Sequence, residues 1–330
     1  MVLSDDYLWY YELDYLEILI AHACAKLKTS QDGQIGIVLS PLWFEPYSTS
    51  LEDNEAVKRA LAIELDWHFD PVIHGDYPEI LKKQLGNRLP SFTAEQSKML
   101  KNSSDFIGVN YYTGRYIALL PYVDPARPRF KTDQQPEWRV TNIGPEEDRG
   151  ILHSVPEGLR KVLNYIKDKY NNPTVYIKEN GINDYDDGRK SRGDILNDTF
   201  RIKYHEDHLQ QLYKAIIEDG CDVRGYYAWS LLDNFEWEHG YNTRFGLYYV
   251  DYDNNLERYP KDSVNWFKRF LNRLDVKSEE IKKEEVWDVS RNNETLDNDA
   301  KGFEASVRSI IYLMTNSSRR EESLHFGVSL

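Results

Sequence analysis

Four apolar runs alternate with four amphipathic segments, and this order constrains the chain more than any other feature. "GQIGIVLSPLW" (Gly33–Trp43), "DFIGVNYYT" (Asp105–Thr113), "PTVYIKENG" (Pro173–Gly181) and "VRGYYAWSLLD" (Val223–Asp233) read as buried strands rich in β-branched and aromatic residues. Between and after them, "LEDNEAVKRALAIELDWHF" (Leu51–Phe69), "VPEGLRKVLNYIKDKY" (Val155–Tyr170), "RIKYHEDHLQQLYKAIIEDG" (Arg201–Gly220) and "KDSVNWFKRFLNRL" (Lys261–Leu274) repeat their apolar residues at helical spacing. Pro156 stands near the start of the second helix and Gly220 closes the third, the expected punctuation at each end. A β-α-β-α-β-α-β-α order with continuous apolar strands predicts an α/β fold with a parallel sheet.

Polar and aromatic residues gather at the C-terminal ends of those strands: Asn110 and Tyr112, then Glu179, then Trp229 through Trp237. Function sits at this end in both barrels and open α/β sheets. No GxGxxG follows a strand, which argues against a dinucleotide site.

Other classes are excluded by charge and composition. With 41 basic and 55 acidic residues the net charge is −14, and such a chain is repelled by phosphate backbones. No apolar run reaches membrane-spanning length. The start, "MVLSDDYLWYYELDYLEILIAHA", carries acids and no basic n-region, so it does not read as a secretory signal. Sequons at Asn102, Asn197, Asn293 and Asn316 permit a secretory history, and the compartment stays open. Cys24 and Cys221 give no disulfide framework. His205 and His208 lie i, i+3 on a helix without further metal ligands, and the expectation is a solvated helix face. From Val276 onward the chain is charged and weakly periodic. It reads as an appendage or partly disordered tail, with one short helix over Phe303–Ser318.

Taken together, "FIGVNYYT", "YIKENG" and "WSLLDNFEWEHGYNTRFGLYYVDY" resemble the signatures of glycoside hydrolase family 1, the plant β-glucosidase family. "GDYPEILKKQLGNRLPSFT" and "RYPKDSVNWFKRFL" extend the resemblance from about His22 to Leu274. The resemblance implies a (β/α)8 barrel of retaining glycosidases that use two carboxylates, no cofactor and no metal. It puts the nucleophile at Glu179. Asn110 and Tyr112 match positions beside the nucleophile and the sugar, Glu236 and Trp237 match glycone-binding positions, Trp229 matches a second sugar-contacting aromatic, and Phe245 matches a pocket wall. The family usually has Thr or a similar small residue before the nucleophile. Here it is Lys178, and alternation along a strand points it away from Glu179.

The family's acid/base glutamate belongs to an Asn-Glu-Pro motif, and that string does not occur in this sequence. The nearest match, Glu45-Pro46, follows Phe44 and a run that matches barrel strand five, not four. The resemblance therefore implies strands five to eight only. The expected organisation is an unmatched start over 1–21, a half barrel over 22–275 and a charged tail over 276–330. Two functions are carried forward. One is β-glucosidase-type hydrolysis of O-glycosyl bonds with retention, on a chain inactive alone. The other is a non-catalytic, truncated member that binds a full-length relative or itself through exposed barrel edges. An unrelated α/β sugar-binding protein is the third reading. A β-glucoside is the expected small-molecule partner, with no nucleic acid and no membrane.

Overall fold

The computed structural model describes residues 34–119, 136–137, 152–280 and 325–329. The chain divides into two compact units, Met1–Glu146 with His153–Ile177, and Glu147–Leu152 with Lys178–Leu330.

In the first unit, β1 (Gly36–Leu39) runs parallel to β3 (Phe106–Asn110), with Gly36 opposite Phe106 and Leu39 opposite Val109. β2 (Trp43–Pro46) pairs in parallel with β4 (Gly114–Leu119), and β4 pairs antiparallel with β5 (Pro136–Glu137). The single buried strand expected over Gly33–Trp43 is thus two strands of four residues each. Pro41 lies between them and has no N–H to give to a ladder. β1 is also half exposed rather than buried, with Val38 at 40%, because it ends its sheet.

The helix expected over Leu51–Phe69 is one helical run with a widened middle. α1 (Leu51–Leu61) passes through a π turn at Ala62–Asp66 into α2 (Trp67–His74), which stops at Gly75 with φ 87°. Ser50 caps α1 by accepting from Asp53 N at 3.1 Å. Asp53 accepts in turn from Leu119 N at 2.9 Å, which ties the helix start to the end of β4. Two short helices follow, α3 (Glu79–Leu85) and α4 (Ala94–Leu100), the second opened by a Thr93/Gln96 capping box. Ile63, Trp67, Tyr77, Leu81 and Leu85 share one core cluster there.

α5 (Pro156–Lys169) starts on its proline and buries Leu159, Val162, Leu163 and Ile166 at the spacing read from sequence. It docks on the π turn through charge as well as packing. Asp66 accepts from Tyr165 and Tyr170, both at 2.8 Å, and pairs with Lys169 at 2.5 Å. Burial pushes the Asp66 carboxyl up, and the Lys169 ammonium opposes that shift. After α5 comes β6 (Val175–Glu179), and Ile107 N donates to Thr174 O at 2.9 Å beside its start.

β6 ends inside the second unit. There β7 (Asp184–Tyr185) pairs antiparallel with β9 (Thr243–Arg244). The helices are α6 (Arg192–Leu196), α7 (Thr199–Ile217) and α8 (Asp262–Glu280). The main strand is β8 (Val223–Trp229), and β10 (Tyr248–Asp251) and β11 (Glu257–Pro260) form an antiparallel ribbon before α8. A strand not anticipated from the tail, β12 (His325–Ser329), runs parallel to β8 with His325 opposite Gly225 and Ser329 opposite Trp229. The proposed helix at Phe303–Ser318 lies outside the described residues, as does the start over 1–21.

The expectation for His205 and His208 is overturned. Both are fully buried on α7, with no water-facing surface. The helix turns its i, i+3 and i+4 positions inward, and Tyr204 stacks on His208 at 3.8 Å between ring centroids. His208 Nδ1 lies 2.8 Å from Tyr204 O, so this nitrogen carries the proton. Burial holds both imidazoles neutral, His205 well below its usual range and His208 pushed down to about 3.

Two outcomes follow from these buried groups. The Tyr170 hydroxyl lies 2.8 Å from Asp66 and 2.7 Å from Asp70, so replacing Tyr170 with Phe removes the one proton that these two carboxylates share, and urea titration should show a loss of about 1–3 kcal/mol. The histidines set a pH dependence. An unfolded imidazole binds a proton near pH ~6.5, and the buried ones do not. Below that pH the unfolded state binds more protons, so stability falls toward acid. The slope should reach about 1.4 kcal/mol per pH unit for each histidine. Melting curves between pH 7 and 5 read it, and a flat profile contradicts the buried neutral assignment.

Candidate active site

Strand ends supply the predicted site residues. In the first unit, β3 delivers Asn110 and the chain continues through Tyr111, Tyr112 and Thr113. Tyr111 is fully buried and donates its hydroxyl to Val155 O at 2.8 Å, and Thr113 donates to His153 O at 2.7 Å. These two anchors hold the strand exit, while Asn110 and Tyr112 alternate to the other side and stay partly exposed. Asn110 Oδ1 is buried without a hydrogen-bond partner among the described residues. A buried acceptor left unpaired is costly, and a ligand hydroxyl is the kind of group that satisfies it.

In the second unit, Glu179 ends β6 half buried. The next residue fixes its setting. Asn180 is fully buried, and its side chain is held at both ends. Tyr226 donates to Asn180 Oδ1 at 2.7 Å, while Asn180 Nδ2 donates to Tyr204 at 3.0 Å. Because Tyr226 gives its proton to Asn180, its oxygen accepts from His205 Nδ1 at 2.8 Å. The backbone is held as well, since Trp229 N donates to Asn180 O at 2.9 Å. At Gly181 a Cβ would lie 2.0 Å from Trp229 O, so only glycine permits this approach. The two strand ends that carry Glu179 and Trp229 are therefore locked together.

Lys178 does point away from this chemistry. Its ammonium sits 4.5 Å over the centre of the Tyr227 ring, a cation–π contact.

The segment after β8 is shaped by a buried carboxylate. Asp233 accepts from Gly246 N at 2.9 Å and Val250 N at 3.3 Å, and it pairs with Arg244 at 3.1 Å and Lys261 at 3.0 Å. Desolvation brings Lys261 down to about 8, with Arg201 adding to the fall and Asp233 opposing it. The fold so held presents Glu236 and Trp237 on a short turn, where Glu236 N donates to Gly240 O at 2.8 Å. Trp237 is 76% exposed, an open indole face. Phe245 is instead almost fully buried, with its carbonyl accepting from Ser230 N at 3.3 Å.

Glu236 is raised above the usual carboxylate range, first by burial and further by the charges of Glu179 and Glu238, against the pull of His239. The Glu179 charge is thus felt at Glu236, within the same unit. Sequence reading singled out both as candidates, but not the groups packed behind them: Asn180, Tyr204, His205, Tyr226, Asp233 and Lys261. Asn180 lies inside the quoted "YIKENG", and its burial was the only missing signal. Glu45, by contrast, is occupied within the first unit, where it accepts from Trp43 Nε1 at 2.6 Å and pairs with Lys161.

The described residues hold no cluster of three or more His, Cys, Asp or Glu that would bind a metal. The arrangement suits a sugar. In the second unit it offers carboxylates that accept from hydroxyls and flat aromatic faces.

Comparison with known proteins agrees. The model of glycosyl hydrolase family 1 matches residues 7–275. β-Glucosidase 28 of Arabidopsis thaliana is 74% identical over 320 residues, which cover 92% of this chain and 53% of that protein. β-Glucosidase 29 of the same plant is 63% identical, with 92% and 54% covered. Among solved structures, a rice β-glucosidase superposes with a TM-score of 0.74 at 43% identity, over 78% of this chain and 56% of that one. A β-glucosidase of the fungus Humicola insolens in complex with glucose gives 0.74 at 37%, over 80% and 57%. The chain spans about half the length of the relatives it matches. The structural neighbours are (β/α)8 barrels, of which the chain covers a part. The chain belongs to glycosyl hydrolase family 1.

Proposed function

We propose that this chain carries barrel strands five to eight and, with them, the nucleophile side of a retaining β-glucosidase site. The observation that carries the reading is the match of residues 7–275 to glycosyl hydrolase family 1, within which Glu179 of "YIKENG" ends β6, and the rise of Glu236 under the Glu179 charge is in keeping with it. Glu179 is the nucleophile. Its carboxylate oxygen bonds to the anomeric carbon as the bond from that carbon to the leaving oxygen breaks, giving a covalent glycosyl-enzyme. Water then attacks the same carbon and releases Glu179. Glu236 accepts from sugar hydroxyls, Trp237 and Trp229 give apolar faces to the ring, and Phe245 backs the pocket. Asn110 and Tyr112, at the end of β3 in the first unit, match sugar-side positions of the family. Lys178 leaves the nucleophile undisturbed, because its charge is engaged by Tyr227.

A retaining site needs a second carboxyl group about 5–5.5 Å from the nucleophile, to protonate the leaving group and then activate water. No Asn-Glu-Pro string is present in the sequence to supply it. Glu45 is a poor substitute, held as it is by Trp43 and Lys161. The acid/base group therefore comes from the part of the barrel that this chain does not span.

The chain assayed alone on an aryl β-glucoside should show no hydrolysis above background, since the general acid by itself contributes about 10²–10⁴-fold. Turnover like that of an intact relative would assign the acid role to a residue on this chain. A second experiment tests the nucleophile. Fused behind strands one to four of a close plant relative, the chain should be labelled covalently by a 2-deoxy-2-fluoro glucoside with a good leaving group. The label should map to Glu179. Glu179→Gln should abolish labelling, because a neutral amide does not attack. Glu236→Gln should keep labelling and require more reagent. Label on Glu236, or label persisting in Glu179→Gln, reverses the assignment.

A further inference from the structure

We propose that Asn180–Gly181 is a covalent modification site: a self-deamidating pair that the fold keeps unreactive and that converts irreversibly in a chain that has opened. This concerns the chemistry of the chain itself and does not depend on the glycosidase reading.

The reaction needs the two residues and water. The backbone nitrogen of Gly181 gives up its proton and attacks Cγ of Asn180. A C–N bond forms, the Cγ–Nδ2 bond breaks, and Nδ2 leaves as ammonia, taking up one proton. The product is a five-membered cyclic imide, which water then opens. Cleavage at the side-chain carbonyl gives an aspartate. Cleavage at the backbone carbonyl gives an isoaspartyl linkage, in which the main chain runs through Cγ. A side chain on the following residue hinders the attack, so Asn-Gly is the pair that reacts most readily, and this is the only Asn-Gly in the sequence.

The fold demands both residues and also shields them. Gly181 is required because a Cβ would meet Trp229 O at 2.0 Å. Asn180 is required because its amide accepts from Tyr226 at 2.7 Å and donates to Tyr204 at 3.0 Å in the interior. These same bonds block the reaction, since Cγ reaches the Gly181 nitrogen only if the side chain swings away from both hydroxyls. Neither hydroxyl is free to follow. Tyr226 is held by His205 at 2.8 Å, and the Tyr204 ring stacks on His208. Trp229 N, donating to Asn180 O, fixes the peptide that would have to turn. Asn180 is also fully buried, out of reach of the water that opens the imide.

Neither product fits this place. An aspartate would put a carboxylate among two hydroxyls and two imidazoles that burial keeps uncharged, at a high desolvation cost. An isoaspartyl linkage lengthens the main chain just where the contact with Trp229 O leaves no slack. Conversion therefore records that the strand ends at Glu179 and Trp229 have separated, and it bars the chain from returning to the same packing.

The test uses the full chain, kept folded in buffer or opened in concentrated urea, at one mildly alkaline pH and one temperature. Proteolysis and mass spectrometry, with fragmentation that distinguishes aspartyl from isoaspartyl, follow each asparagine. In urea Asn180 should convert faster than every other asparagine and give both products. In buffer it should convert at least about 100-fold more slowly, because the reaction then waits on opening. The variant Asn180→Asp, made directly, should melt at least about 5 °C below the parent or show no cooperative transition. Conversion in buffer at the rate seen in urea overturns the shielding. No conversion of Asn180 in urea overturns the site. A melting midpoint of Asn180→Asp equal to that of the parent overturns the claim that the product is barred from the fold.

Discussion

The second unit depends on one buried carboxylate. Asp233 has no exposed surface on its side chain, yet it meets two cations and two backbone amides. An isolated charge in that position would be prohibitive, so each of its partners is required. The pairing spreads outward. Arg244 reaches Asp186, with Nε 3.0 Å from the carboxylate, although without hydrogen-bond alignment. Arg201, fully buried, pairs with Asp198 and donates to Arg244 O at 3.0 Å. Asp198 caps the start of α8 by accepting from Ser263 N at 2.8 Å. Signs alternate through this set, and every element around the turn at Glu236 is tied to it. A loop of that length would otherwise have no reason to hold one shape.

A different device fixes the strand end at Glu179. Asn180 uses both ends of its amide, and the direction of each hydrogen bond follows from its neighbour. Changing any of these groups leaves a donor or acceptor unpaired in the interior. The site carboxylates themselves are only half buried. Their positions depend on the more deeply buried groups packed behind them.

Much of this was legible in the sequence. Continuous apolar strands and amphipathic helices announced the β-α order, and six of the seven proposed site residues fall at strand ends or on the turn after β8. The seventh, Phe245, directly follows β9 and is almost entirely buried, a setting compatible with the wall position that the resemblance gives it. What was not legible has physical causes. The π turn at Ala62–Asp66 keeps an apolar face and so looks like ordinary helix. The break between β1 and β2 depends on Pro41, one residue inside an otherwise β-favouring run. His205 and His208 looked like a wet face because imidazole is polar, but a neutral ring with one bonded nitrogen packs among aromatics. β12 was hidden because five residues in a charged tail carry no periodicity of their own.

The approach of Gly181 to Trp229 has a consequence for how the site can vary. With a carbonyl occupying the place of a Cβ, position 181 admits no side chain, and the two strand exits cannot slide past one another. Glu179 and Trp229 therefore move as one body. A displacement of the backbone at Glu179 is therefore passed to the backbone at Trp229, while the turn beyond β8 that bears Glu236 and Trp237 lies outside this contact and is the part left free to vary.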